Sequence, residues 1–117
     1  MSTNVSNNYS MTITAAGDDA VAVRIDFLSV KKAAMILRAI NHKLRQQIIK
    51  LINDQQKITV TEIYIKLRLE QSVASQHLAI LRRAGIVKTE RDGKFIYYTL
   101  NYEKIQQIMD SVESLTV

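Results

Sequence analysis

The chain has no cysteine. That absence excludes disulfides, thiolate metal sites and thiol redox sensing together, because each needs a sulfur that can ionise or be oxidised. Histidine is scarce as well: His42 and His77 are the whole supply, so a metal site would have to rest largely on carboxylates. No apolar run reaches bilayer-spanning length, and the polar start MSTNVSNNYS lacks the basic end and apolar core of an export signal. These absences predict a cytoplasmic protein with no membrane partner. Nor is there a Gly-rich phosphate loop, a cysteine nucleophile, a plausible triad or a cluster of metal ligands, so the expectation is a protein without cofactor or enzymatic activity.

What is present fits one domain: 117 residues, of which 47% are hydrophobic and 23% charged. The net charge of +5 is unevenly spread. Of 16 basic and 11 acidic residues, the first 26 positions hold only Arg24 against Asp18, Asp19 and Asp26, which leaves the remainder at about +7. A compact basic domain attracts polyanions through counterion release, although a surface charged merely for solubility has the same balance.

Residues 1–20 are rich in Ser, Thr, Asn and Asp without sustained periodicity and read as a flexible polar tail, leaving 21–117 as the folded domain. From Asp26, apolar residues recur at helical spacing through Leu28, Ala33, Ala34, Leu37 and Ile40, and Asn41 is suited to cap a second helix that turns Leu44, Ile48, Leu51 and Ile52 inward. A short third helix starts after Thr59 or Thr61, and Glu62, three residues after Thr59, fits a capping box. A fourth runs from about Gln71 to Ala84, closed by Gly85. Two helices joined by so short a turn predict a helix-turn-helix. Alternating residues on either side of Asp92-Gly93 then predict a hairpin, with Val87, Thr89, Ile96, Tyr98 and Leu100 facing the core and Phe95 and Tyr97 on the other face. A last helix carries the apolar stripe Ile105, Ile108, Met109, Val112 and Leu115. The predicted fold is mainly α with a β-hairpin wing (α+β), a winged helix-turn-helix of order ααααββα.

The fourth helix has an unusual outer face. At 100° per residue, Ser72, Ser75, Gln76, Ala79, Arg82 and Arg83 share one arc of about 120°. An ordinary solvated helix carries Glu and Lys there, whereas a helix pressed into the major groove needs short side chains with amide or hydroxyl groups. Gln71 and Gln76 can pair with an adenine edge, and Ser72 and Ser75 can serve bases or phosphates. A solvated face that happens to be Ser- and Gln-rich is the plainer alternative. His77 falls in the apolar arc, which predicts a packed, hydrogen-bonded role. Arg91 and Lys94 flank the hairpin tip, placed either for DNA backbone or simply for edge protection. Lys43 and Arg45 are candidate phosphate contacts or plain surface charge.

From about Ala34 to Leu115 the sequence resembles the ArsR/SmtB family of bacterial winged-helix repressors. The resemblance rests on residues 39–45 (AINHKLR), 71–78 (QSVASQHL), 81–87 (LRRAGIV) and 92–100 (DGKFIYYTL). It implies a homodimer joined through the first and last helices, binding double-stranded DNA at a palindromic operator and usually repressing transcription. Leu28, Leu37, Ile105, Ile108, Met109 and Val112 are the interface candidates, although such stripes could equally be monomer core. Where metal-sensing members carry a Cys-x-Cys pair this chain has Thr59-Val60-Thr61, and residues 101–104 (NYEK) lack the histidine of the last-helix site. Asp110 and Glu113, one turn apart, are the kind of pair that is usually solvated surface. The resemblance therefore implies a regulator without those metal sites, with its effector unknown. A winged helix used for protein assembly is the competing function.

Overall fold

The computed structural model describes residues 2–7, 9–17 and 20–117, with residues 2–7 described as backbone alone. Three strands come first: β1 (Ser2–Asn7), β2 (Ser10–Thr14) and β3 (Ala22–Asp26). They pair antiparallel in the order β1-β2-β3, with Met11 opposite Ile25 and Ile13 opposite Val23. Most of the stretch expected to be a structureless tail is thus paired backbone. The alternation M-T-I-T against V-R-I-D puts apolar side chains on one face and Ser, Thr, Arg and Asp on the other.

Helix α1 (Phe27–Ile40) follows without a break. Asp26 starts it: its carboxylate accepts the N–H groups of Leu28 (3.1 Å) and Ser29 (3.3 Å) and the Ser29 hydroxyl (3.0 Å). These bonds, the Ser29 N–H foremost, hold the Asp26 carboxyl below its usual pKa. The chain divides into two compact units, one ending at Leu37 and the other running Arg38–Val117.

The second unit holds α2 (Lys43–Gln55), α3 (Val60–Lys66), α4 (Gln71–Arg83), β4 (Val87–Asp92), β5 (Phe95–Leu100) and α5 (Tyr102–Thr116). Together with α1 they give the expected order of four helices, hairpin and last helix. Ile48 and Ile52 of α2, Ile63 of α3, Leu78 and Leu81 of α4, Ile58 and Ile86 form the centre of its core. Ile108 of α5 is also buried, which makes it a core residue of its own chain and not an exposed interface residue.

The helix ends follow local chemistry. His42, not Asn41, caps α2, its Nδ1 accepting the Arg45 N–H at 3.5 Å. Thr59 caps α3 as its spacing to Glu62 predicts, accepting the Glu62 N–H (3.2 Å) while its hydroxyl donates to the Glu62 carboxylate (3.1 Å). Helices α3 and α4 end in the same paired bonds, Leu69 N–H to Tyr64 and Arg68 N–H to Ile65 in one, Ile86 N–H to Leu81 and Gly85 N–H to Arg82 in the other. This ending requires a left-handed residue. Gly85 (φ +79°) supplies it after α4, and Arg68 (φ +57°) supplies it in the turn between α3 and α4. An alanine Cβ at Gly85 would meet nothing nearer than the Lys104 side chain at 3.5 Å, so backbone strain alone sets the cost of Gly85→Ala. We expect a loss of about 1 kcal/mol in a urea titration with an unchanged m-value.

Candidate nucleic-acid interface

Helix α4 is built to be half buried. Ala74, Leu78 and Leu81 point into the core, while Gln71, Ser72, Ser75, Gln76, Ala79, Arg82 and Arg83 are exposed. This is the division the wheel predicts, and α3 packs beside α4 through the tight turn at Arg68. The outer face therefore presents hydroxyls and amides in its first half and two guanidinium groups at its end. Side chains of Asp26, His42, Thr59 and Asn101 cap the other helices, but Glu70 at the start of α4 makes no side-chain capping bond. The first-turn amides of α4 are left available to an anion.

The wing follows at once. β4 and β5 pair from Val87–Leu100 to Asp92–Phe95, joined by the two-residue loop Gly93-Lys94 with Gly93 at φ +63°, the conformation a glycine-first hairpin turn requires. Arg91 folds its Nε onto the Gly93 carbonyl (3.2 Å), and Lys94 lies 5.5 Å from the Phe95 ring centre. Both remain exposed at the tip. Lys57, in the connection between α2 and α3, sits 3.6 Å from Asp92, 3.9 Å from Glu90 and 4.8 Å from the Tyr97 ring centre. It offsets one of the two wing carboxylate charges, so with Arg91 and Lys94 the hairpin end is left net positive by one charge. Between α4 and the wing lies a hollow of about 430 Å³ lined by Ser75, Leu78, Ala79, Arg82, Arg83 and Tyr98.

Two expectations need correction. Ile96, expected to face the core, is 52% exposed, because the hairpin runs past the helices and its inner side has nothing left to pack on. Arg45, expected as a phosphate contact, is only 6% exposed. Its guanidinium donates to the carbonyls of Ala39 (2.7 Å) and Arg38 (3.0 Å) and lies 3.2 Å from His77 Nδ1. Lys43 remains exposed. Arg45 stands three residues before Ile48 and seven before Ile52, a spacing that already places it on the buried stripe of α2. His77 is half buried on the inner side of α4, its ring 4.9 Å from that of His42. Burial first, then the nearby His42 and Arg45, push its pKa below the ordinary histidine value.

Of the interface candidates, Leu28, Leu37 and Met109 are exposed, and Ile105 and Val112 are partly so. A smaller apolar hollow of about 210 Å³ is lined by Ile40, Gln46, Ile49, Ile86, Ile105 and Met109. No helix is long and apolar enough among the described residues to cross a membrane.

Comparison with known proteins adds an independent line. Residues 42–89 match the arsR family of bacterial regulatory proteins. The transcriptional activator HlyU of Vibrio cholerae is 34% identical over 84 residues, spanning 72% of this chain and 77% of its own. The transcriptional repressor PagR of Bacillus anthracis is 33% identical over 86 residues, spanning 74% and 86%. The PagR crystal structure superposes with a TM-score of 0.59 at 31% identity, over 74% of this chain and 99% of PagR. The structure of HlyU from Vibrio vulnificus gives 0.56 at 37% identity, over 77% and 93%.

Proposed function

The chain belongs to the ArsR family of bacterial regulatory proteins and is a DNA-binding transcription regulator; from that premise we propose that it works in the cytoplasm as a homodimer, seating two α4 helices in successive major grooves of an inverted-repeat operator and repressing transcription from it. The observation that carries the proposal is the outer face of α4, which has no carboxylate and offers Gln71, Ser72, Ser75 and Gln76 ahead of Arg82 and Arg83. Glutamine pairs with adenine edges, and the arginines suit phosphates on the groove walls. Arg91 and Lys94 reach the adjacent backbone or minor groove, and Lys43 adds a phosphate contact.

The dimer reading rests on α1. Phe27, Leu28, Val30, Met35 and Leu37 are all exposed along this one helix. A partner copy would cover them, and Ile105, Met109 and Val112 of α5 offer a separate apolar strip for the same purpose. We assign no metal to the regulator's signal. Thr59 commits its hydroxyl to capping α3, and Asp110 accepts from Gln106 Nε2 at 2.9 Å. A protein-assembly role would draw on the exposed Phe95 and Ile96 at the wing tip.

Selecting bound fragments from a genomic library with the full chain separates these readings. The regulator yields an enriched inverted repeat at moderate salt; a protein-assembly module yields none. On the recovered duplex, Gln76→Ala is expected to cost about 1–3 kcal/mol and to relax the preference at one base pair per half-site. Arg91→Ala is expected to weaken all sequences alike and to lower the salt slope by about 1 for each phosphate no longer neutralised.

A further inference from the structure

We infer that Arg45 and His77 form a clamp that sets where the reading helix α4 stands against the end of α1, and that protonation of the clamp opens it. Arg45 is the carrier. Its buried guanidinium spans three groups on two elements: the Arg38 and Ala39 carbonyls at the C-terminal end of α1, and the His77 ring on α4. The last carbonyls of a helix attract a cation, so that end holds the guanidinium in place. Through it α4 is tied down on the face opposite to the one it offers to DNA. This deepens the DNA-binding reading and rests on it.

The chemistry of the contact fixes its proton state. A guanidinium only donates, so His77 Nδ1 must accept, and the neutral ring carries its proton on Nε2. A protonated His77 would point N–H at N–H and place two cations 3.2 Å apart. His42 Nδ1 is committed as an acceptor too, from the Arg45 N–H that it caps. The only two histidines in the chain thus meet at one buried arginine, His77 beside its guanidinium and His42 at its backbone N–H.

Among the described residues, no other charge faces this ring. On α4 itself Val73, Ala74, Ile80 and Leu81 stand one turn away. α3 turns Ile63 inward with Glu62 and Lys66 exposed, and β4 turns Val87 inward with Lys88 and Glu90 exposed. α2 contributes His42 and Arg45, and α1 contributes peptide carbonyls. With the His77 pKa depressed in the fold, the unfolded or released state binds more protons near the ordinary value of 6.5. The clamp is therefore complete above that value and is lost progressively as pH falls below it, through the depressed midpoint of the folded state.

This predicts an unusual sign. Histidines on a DNA-facing surface gain charge on acidification and tighten binding, whereas this pair should weaken it. The test has a DNA-free arm and a DNA arm. In the full chain, imidazole ¹⁵N NMR is expected to show His77 as the Nε2–H tautomer with a depressed midpoint, which Arg45→Gln moves up. Amide exchange in α4 should speed up below the ordinary histidine value. On the labelled duplex recovered from the library, native affinity is expected to fall about tenfold from pH 7.5 to 5.5. His77→Gln, whose amide oxygen still accepts from Arg45 but gains no proton, should lose that acid-side fall. A His77 midpoint unmoved by Arg45→Gln overturns the clamp whether or not DNA binds; so do coincident pH profiles of native protein and His77→Gln. A shifted midpoint in a protein that selects no DNA keeps the clamp and rejects the regulator reading instead.

Discussion

Leu81→Ala lowers the unfolding free energy by about 3 kcal/mol, within the range of about 2–5 for leucine-to-alanine changes in cores. Leu81 has 0% of its surface exposed and lies on the inner stripe of α4 with Ala74 and Leu78. Removing three carbons there loses their transfer free energy and leaves a cavity that the α2 and α3 isoleucines cannot close without leaving their own rotamers. Domains of this size hold only about 5–15 kcal/mol in reserve, so a fifth or more of the stability goes with one side chain. The thermal midpoint should drop by about 10 °C or more. Urea titration followed by helix circular dichroism measures it, and a loss below about 1 kcal/mol would show that α4 is not seated as described. At 4 °C, where the variant remains folded, DNA affinity should change far less than stability does.

Leu37→Glu has the opposite profile. Leu37 is 38% exposed on α1, so a carboxylate there reaches water in the monomer and costs little folding stability. Across the two-fold axis of the proposed dimer, however, the same substitution would occur twice and bury two charges against an apolar surface, a penalty of several kcal/mol. Sedimentation equilibrium should show half the native mass. Specific binding usually exceeds non-specific binding by about 10³–10⁷-fold, and a monomer keeps the base contacts of one half-site only, so operator affinity should fall by about 100-fold or more. A variant with native mass and native affinity would remove α1 from the interface.

Where side chains answer to neighbours on their own helix, the sequence is readable. The polar arc of Ser72, Ser75 and Gln76, the Thr59–Glu62 cap, Gly85 behind α4 and the Asp92-Gly93 hairpin all depend on residues within one or two turns. Three features depend on distant partners. The pairing of Met11 with Ile25 and Ile13 with Val23 is set by a register fourteen or ten residues away, inside a segment whose Ser, Thr and Asn content resembles a tail. Arg45 lies on the buried stripe of α2 by its own spacing, but the carbonyls that accept its guanidinium come from the end of another helix, and those partners are absent from the local pattern. Ile96 alternates correctly but lies beyond the reach of the core. The choice between Asn41 and His42 as cap is close, since both present a short acceptor ahead of Lys43.

The wing has one more property. Ile58 and Tyr98 exchange both backbone hydrogen bonds, at 3.2 and 2.7 Å, and so lend the base of the hairpin a third chain. Past that point the pairs Tyr97–Glu90, Ile96–Arg91 and Phe95–Asp92 stand with no neighbouring strand among the described residues. Such a hairpin is a stiff stalk with a compliant end. Its base is tied by backbone hydrogen bonds to the chain leading into α3, while the tip at Gly93 and Lys94 has no neighbouring strand among the described residues and, in the proposed complex, would yield to a wider or narrower groove. Operators that differ only beneath the wing should accordingly be tolerated, and those that differ beneath α4 should not.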